Sequence, residues 1–189
     1  MFLFVGLGNP GKAYINNRHN VGYKVIDKLN CLYSSSSFTK KFQSDFLKLE
    51  PYNNKIILQK PTTYMNFSGL AVKEIKDYYN ISICHIYVIH DEIDLNQGII
   101  KIKTGGGHNG HNGLKSIDDK IGKEYNRIRI GISRPSKIYN NKIDENISGW
   151  VLSDFTSAEQ NSWLDQTITK IADEIYNFVK NKTNLLKLT

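Results

Sequence analysis

The sequence predicts an α/β fold: one domain over 1–189, with a twisted mixed, mainly parallel sheet covered by helices on both faces. Three observations carry this. Short apolar runs such as Phe2–Leu7 alternate with segments whose apolar residues recur at helical spacing. Ile86–Ile89 is nearly all apolar, the pattern of a strand buried on both faces of a parallel sheet. The length, 189 residues at 40% hydrophobic and 23% charged, suffices for one full core and is short for two.

Taken in order, Phe2–Leu7 reads as a strand running into Gly6-Leu7-Gly8-Asn9-Pro10-Gly11. That spells the dinucleotide-binding G-x-G-x-x-G, which requires a helix to begin inside the motif. The residues that follow, Lys12 to His19, are polar and lack helical spacing. The helix is expected from Asn20, with Val21, Val25, Ile26 and Leu29 on one face and the candidate acid Asp27 in its middle. The dinucleotide reading is rejected. Asp45–Leu49 and Ile56–Gln59 read as neighbouring strands about the turn 51–54, and Pro61–Gly69 as a loop entering a helix over about Ser68–Tyr79. Ile86–Ile89 ends in His90-Asp91-Glu92, at the carboxyl end where open α/β sheets place their chemistry. Ile99–Lys103 and Arg127–Ile132 alternate apolar with basic residues and predict half-exposed strands, while Ser133–Gly149 reads as a polar loop. Thr156–Lys180 is the longest helical pattern, opened by a Thr156/Glu159 capping box.

Gly105–Gly113, reading GGGHNGHNG, is incompatible with helix interior or regular strand. It enters a helix at Leu114, so Asn112 or Gly113 lies near a helix N-terminus that favours negative charge. Either this is a site or it is a crossover loop rich in capping residues. His108 and His111 offer a weak metal cage in a flexible glycine loop with no cysteine or H-E-x-x-H beside them, and Leu114 interrupts a phosphate-binding Gly-Lys-Ser/Thr, so no metal and no cofactor are expected.

The net charge of +7 tilts towards a polyanionic partner such as nucleic acid. No apolar run approaches the ~20 residues of a membrane helix. The first residues read as a strand rather than a signal peptide, and Cys31 and Cys84 are too few for a disulfide framework. A cytoplasmic location is expected.

The polar loops after the strands would bring together a histidine, a carboxylate and several neutral amides. That set suits a general base acting on water, with the carboxylate fixing the imidazole tautomer and the amides binding peptide or a developing oxyanion. No G-x-S-x-G elbow and no cysteine nucleophile motif compete with it.

Several runs, in order, resemble the bacterial peptidyl-tRNA hydrolases: Gly6–Gly11, Tyr14–Gly22 (YINNRHNVG), Pro61–Gly69 (PTTYMNFSG), His90–Leu95 (HDEIDL), Gly107–Ile117 (GHNGHNGLKSI) and Gly149–Leu152 (GWVL). The resemblance implies hydrolysis of the ester between a peptide and the 3′ end of tRNA, without a metal. It implies His19 as catalytic base oriented by Asp91. Asn9, Asn66 and Asn112 would hold the peptide, the ester region and the attacking water, with Tyr14 and Met65 lining the pocket. His111 is expected near the tRNA end, Lys101, Lys103 and Arg129 on the tRNA, and 134–149 as a lid. A monomer without an obligate protein partner is implied, peptidyl-tRNA being its partner. The alternative is a non-catalytic RNA-binding protein on the same scaffold. Residue by residue, Asp91 competes with a turn cap, Asn66 with a helix cap, and the basic residues with a solvated sheet face.

Overall fold

A computed structural model of the chain describes residues 1–33, 35–135 and 146–181, with two short strands between the last two spans. The strands are β1 (Phe2–Gly6), β2 (Thr39–Lys41), β3 (Ser44–Leu49), β4 (Ile56–Pro61), β5 (Ile86–Glu92), β6 (Ile100–Thr104) and β7 (Asn126–Gly131), followed by β8 (Ile138–Tyr139) and β9 (Lys142–Ile143). The helices are α1 (Val21–Tyr33), α2 (Ser68–Tyr78), α3 (Asn112–Ile121), α4 (Ile147–Val151), α5 (Ser157–Glu159) and α6 (Asp165–Asn181). β8 and β9 pair only with each other; the other seven form one sheet, ordered β2-β3-β4-β1-β5-β7-β6. Its four central strands, β4, β1, β5 and β7, run parallel, and β3 and β6 flank them antiparallel. This is the expected mixed, mainly parallel sheet.

Helices cover both faces. Val21, Val25, Ile26 and Leu29 of α1 and Ile168, Ile171 and Ile175 of α6 pack on Phe4, Tyr87 and Ile89. On the opposite face Val72 and Ile75 of α2 and Leu114 and Ile117 of α3 pack on Leu3, Val5 and Val88. Each such side chain taken fully out of water contributes about 1.5–3 kcal/mol.

The glycines after β1 serve packing. A Cβ on Gly6 would lie 2.3 Å from the Gly22 carbonyl oxygen, and one on Gly22 2.4 Å from that of Ile89, so α1 sits directly against the backbones of β1 and β5. Between Gly8 and α1 the chain makes two 3₁₀ turns, Lys12–Tyr14 and Arg18–Asn20, and no helix begins inside the G-x-G-x-x-G run.

Three expectations need correction. β7 is not half-exposed: it lies between β5 and β6, and Arg127 is buried, donating to Asp118 at 3.0 Å and to the carbonyls of Gly106 and Gly107. Thr156–Lys180 is not one regular helix. Its capping box forms, but a π-helical turn, Gln160–Leu164, separates α5 from α6. That wide turn shifts the helical phase, so that Glu159 reaches Arg18 while Leu164 and Ile168 face the core. Ser133–Gly149 is not all loop, since it contains β8, β9 and the start of α4, which Asn146 caps by accepting from Gly149 N. The exposed strand β2 follows no pattern visible in the sequence. Of the expected lid, 134–149, the side chains of 136–145 lie outside the described residues.

Candidate active site

The carboxyl ends of β1, β4 and β5 point the same way, and the polar loops that leave them meet there, as open parallel sheets dictate. A cleft of about 650 Å³ opens at this edge. Asn9, Tyr14, His19, Met65, Asn66, Asp91, His111 and Asn112 all line it.

The segment Asn17-Arg18-His19-Asn20 is wholly polar and wholly buried, which is tolerable only if each side chain finds partners. Each does. Asn17 Nδ2 donates to Asp154 at 2.6 Å, Arg18 to Glu159 at 2.7 Å, and Asn20 exchanges hydrogen bonds with the main chain of Asn9 at 2.9 and 3.0 Å. His19 is bonded through Nδ1 to Asp91 Oδ1 at 2.8 Å. Asn9 is set in turn: its Oδ1 accepts the Met65 N–H at 2.8 Å, which leaves its amino group as the donor for the cleft.

Asp91 Oδ1 also faces His111 Nε2 at 3.1 Å. The other nitrogen of His111 caps α3, accepting from Gly113 N at 3.1 Å and Leu114 N at 3.4 Å. Nδ1 is therefore the acceptor and Nε2 carries the proton it donates to Asp91. Burial alone would raise the Asp91 pKa, but His19 and His111 hold it well below the usual carboxylate range. Burial lowers that of His19; the Asp91 charge and hydrogen bond outweigh it, and the net direction is up. With its Nδ1–H given to Asp91, neutral His19 keeps the Nε2 lone pair free for a proton.

His19, Asp91 and His111 have ligand atoms within 4.8 Å of one another and could in principle chelate an ion. A metal on His111 Nε2 would move the ring proton to Nδ1, straight into two N–H groups of α3, so the cap opposes it. His108, the other candidate ligand, spends its Nδ1 on the Gly110 N–H at 3.1 Å.

Asp91 caps no turn; its carboxylate sits between two imidazoles. Asn66 does not cap α2, whose N-cap position is Phe67 with no side-chain cap, and it lies exposed on the cleft. Lys101 and Lys103 are exposed on β6 and do not line the cleft. Arg129 is not a free cation, because its Nε donates to Glu92 at 3.0 Å. Sequence reasoning missed the opposite wall: Ile147, Ser148, Val151 and Leu152 of α4 and its C-cap, together with Tyr64, Glu92 and Ile93. The PTTYMNF and HDEID runs hold the last three, and Ile147 and Ser148 fall in the expected lid 134–149 and Val151 and Leu152 in the GWVL run, but the sequence singles none of them out as a site residue.

A model of the peptidyl-tRNA hydrolase family matches residues 3–187. The chain is 48% identical over 188 residues to the peptidyl-tRNA hydrolase of Rickettsia felis, covering 99% of this chain and 98% of that one. It is 45% identical, with the same coverage, to that of Rickettsia bellii. A crystal structure of peptidyl-tRNA hydrolase from Acinetobacter baumannii superposes with a TM-score of 0.86 at 36% identity, over 96% of this chain and 90% of that one. Sequence and fold agree over nearly the whole length, and the chain belongs to the peptidyl-tRNA hydrolase family.

Proposed function

We propose that the chain hydrolyses the ester joining a peptide to the 3′ end of tRNA, with His19 as general base and Asp91 as the group that orients it. The observation that carries this is the 2.8 Å bond from His19 Nδ1 to Asp91 Oδ1 at the edge of the cleft, which leaves Nε2 as the proton acceptor. His19 Nε2 takes a proton from water as the water oxygen bonds to the ester carbonyl carbon. The carbonyl becomes an oxyanion, and the amide N–H groups of Asn9, Asn66 and Asn112 are the neutral donors around the cleft that can meet it or the peptide backbone. Collapse breaks the bond to the 3′ oxygen, which takes back the proton from His19 as tRNA departs. Tyr14 and Met65, with Tyr64, supply an apolar surface for the peptide side chains. Lys101 and Lys103 contribute phosphate contacts outside the cleft. Freed tRNA returns to translation, and the setting that fits is a monomer in the cytoplasm; among the described residues no helix is long and apolar enough to cross a membrane.

A non-catalytic RNA-binding role would leave the buried His19–Asp91–His111 arrangement without a purpose, and no observation favours it. His19→Ala tests the assignment: turnover of peptidyl-tRNA should vanish while tRNA affinity changes little. Retention of more than about a few per cent of activity would remove His19 from the mechanism.

A further inference from the structure

Behind the turn that carries His19 lies a buried hub that the chemistry itself does not touch. Arg18 is 3% exposed, and its Nη1 donates to Ser153 Oγ and the Asp154 carbonyl at 2.7 Å and to the Ser153 carbonyl at 3.3 Å. Its Nη2 spans both oxygens of Glu159 at 2.9 and 2.7 Å. The guanidinium lies over the Trp150 indole, 3.7 Å from the ring centroid. Further ties radiate from these partners. Gln97, beyond β5, donates to Glu159 at 3.0 Å, and Trp150 Nε1 donates to the Ser133 carbonyl, just past β7, at 2.8 Å. The main chain joins in, with Arg18 N–H to the Ser153 carbonyl and Phe155 N–H to the Asn16 carbonyl, both at 3.0 Å.

Removing a guanidinium and a carboxylate from water costs several kcal/mol per ion, and well-packed apolar residues usually stabilise a fold as well or better. What an arginine with both Nη groups engaged and its plane stacked supplies beyond stability is a defined geometry, even though its buried Nε finds no partner. Its two ends are informative. One is the peptide unit preceding His19. The other is α4, whose Ile147, Ser148 and Val151 form the cleft wall that sequence reasoning missed.

We propose that Arg18 is a positioning residue for the hydrolysis: through Glu159, Trp150 and Ser153 it locks the His19 turn to α4, so that the base and the facing wall of the cleft move as one body. This rests on His19 being the base. A base displaced by about 1 Å can lose on the order of 100-fold in rate, so the effect belongs in kcat.

The test uses the full chain and two conservative variants, Arg18→Lys, which keeps the charge but loses the fork, and Glu159→Gln, which leaves Arg18 intact. Activity on peptidyl-tRNA is expressed per folded molecule, with the folded fraction taken from circular dichroism at the assay temperature. Expected is a fall in kcat of about 100-fold for Arg18→Lys and a smaller fall for Glu159→Gln, with KM within about threefold of the parent. The acid limb of kcat/KM should also move towards the ordinary imidazole value. The charged or titratable groups facing His19 are Asp91 of β5 and His111 before α3, both present in either variant. Arg18→Lys also keeps the charge behind them, so its shift reports the His19–Asp91 geometry, whereas Glu159→Gln removes a negative charge as well and is read through kcat alone. An unchanged kcat per folded molecule would reduce the hub to a stability element. A rise in KM alone would place Arg18 in binding, and failure of both variants to fold would make it a folding residue; each overturns the proposal. His19→Ala in the same assay separates the two claims, because activity surviving there condemns the base assignment whatever the Arg18 variants do.

Discussion

Asp91 offers one oxygen to two donors, the base on one side and a helix-capping histidine on the other. Asp91→Asn keeps the shape but removes the charge and can select the wrong tautomer of His19. We expect kcat to fall by about 10²–10⁴ and the acid limb of kcat/KM to drop, because the Asp91 charge is what raises His19 against burial. An unchanged rate would exclude Asp91 from the mechanism. The sign for stability follows the same pair. The raised His19 contributes stability that is complete in acid below its unfolded value and fades as pH rises through its folded value. The depressed Asp91 contributes above its unfolded value and fades as pH falls through its folded value. His90 behaves differently. It donates Nδ1–H to the Asp91 carbonyl at 2.8 Å, its buried Nε2 has no protein partner, and burial, with His111 beside it, pushes its pKa down to about 3. As pH falls below its ordinary 6.5 the unfolded chain takes up a proton that the folded chain refuses until about 3, so stability is lost across that window. His90→Gln should flatten the difference in urea stability between about pH 7 and about pH 4.5. An undiminished difference would mean that other groups cause it.

Among the elements, the close contact that bears on the His19 turn is the backbone approach of α1 to β1. Gly6→Ala would place a methyl 2.3 Å from the Gly22 carbonyl oxygen, a distance no rotamer can relieve. The helix would have to lift from the sheet, carrying the His19 turn with it. A loss of at least about 2 kcal/mol in denaturant unfolding is expected, and a change below about 0.5 kcal/mol would show that the contact is slack. The helix following the glycine run is held differently. Its N-terminus is capped by His111, so one ring both completes α3 and supports Asp91. The capping box at Thr156 likewise does two jobs, since its Glu159 is the carboxylate that Arg18 grips.

At the scale of the whole molecule, the net charge of +7 is spread unevenly in its availability. Lys101 opposes Arg129 and Lys103 opposes Arg127 across β6 and β7, which puts four cations on one face of the sheet. Two of them are already spent, Arg127 on Asp118 and Arg129 on Glu92, so Lys101 and Lys103 are the exposed pair. Lys103→Ala should therefore raise KM on peptidyl-tRNA and reduce the salt-dependence slope by about 0.7, with little effect on a minimal ester lacking the tRNA body. Arg129→Ala should disturb Glu92 at the cleft as well and affect both substrates. Equal losses on both substrates for Lys103→Ala would mean that it acts on the active site, and no loss on either would leave β6 a solvated edge.

Local pattern by itself determined much of this protein. The buried run of β5, the apolar face of α1, the start of the C-terminal helix at Thr156 and the α/β class follow from periodicity and capping, which a short window of residues contains. The ordered motifs also named His19, Asp91 and the three asparagines that line the cleft. Only the tertiary structure decided which charges are free and what holds the base. Arg127 and Arg129 look like Lys101 and Lys103 in an alternating strand, and only the placement of β7 inside the sheet separates them. Arg18 looks like a solvated neighbour of His19 until Glu159, 141 residues away, is brought against it. Burial of a charge is decided by partners that the chain supplies from distant segments, and no local window contains them.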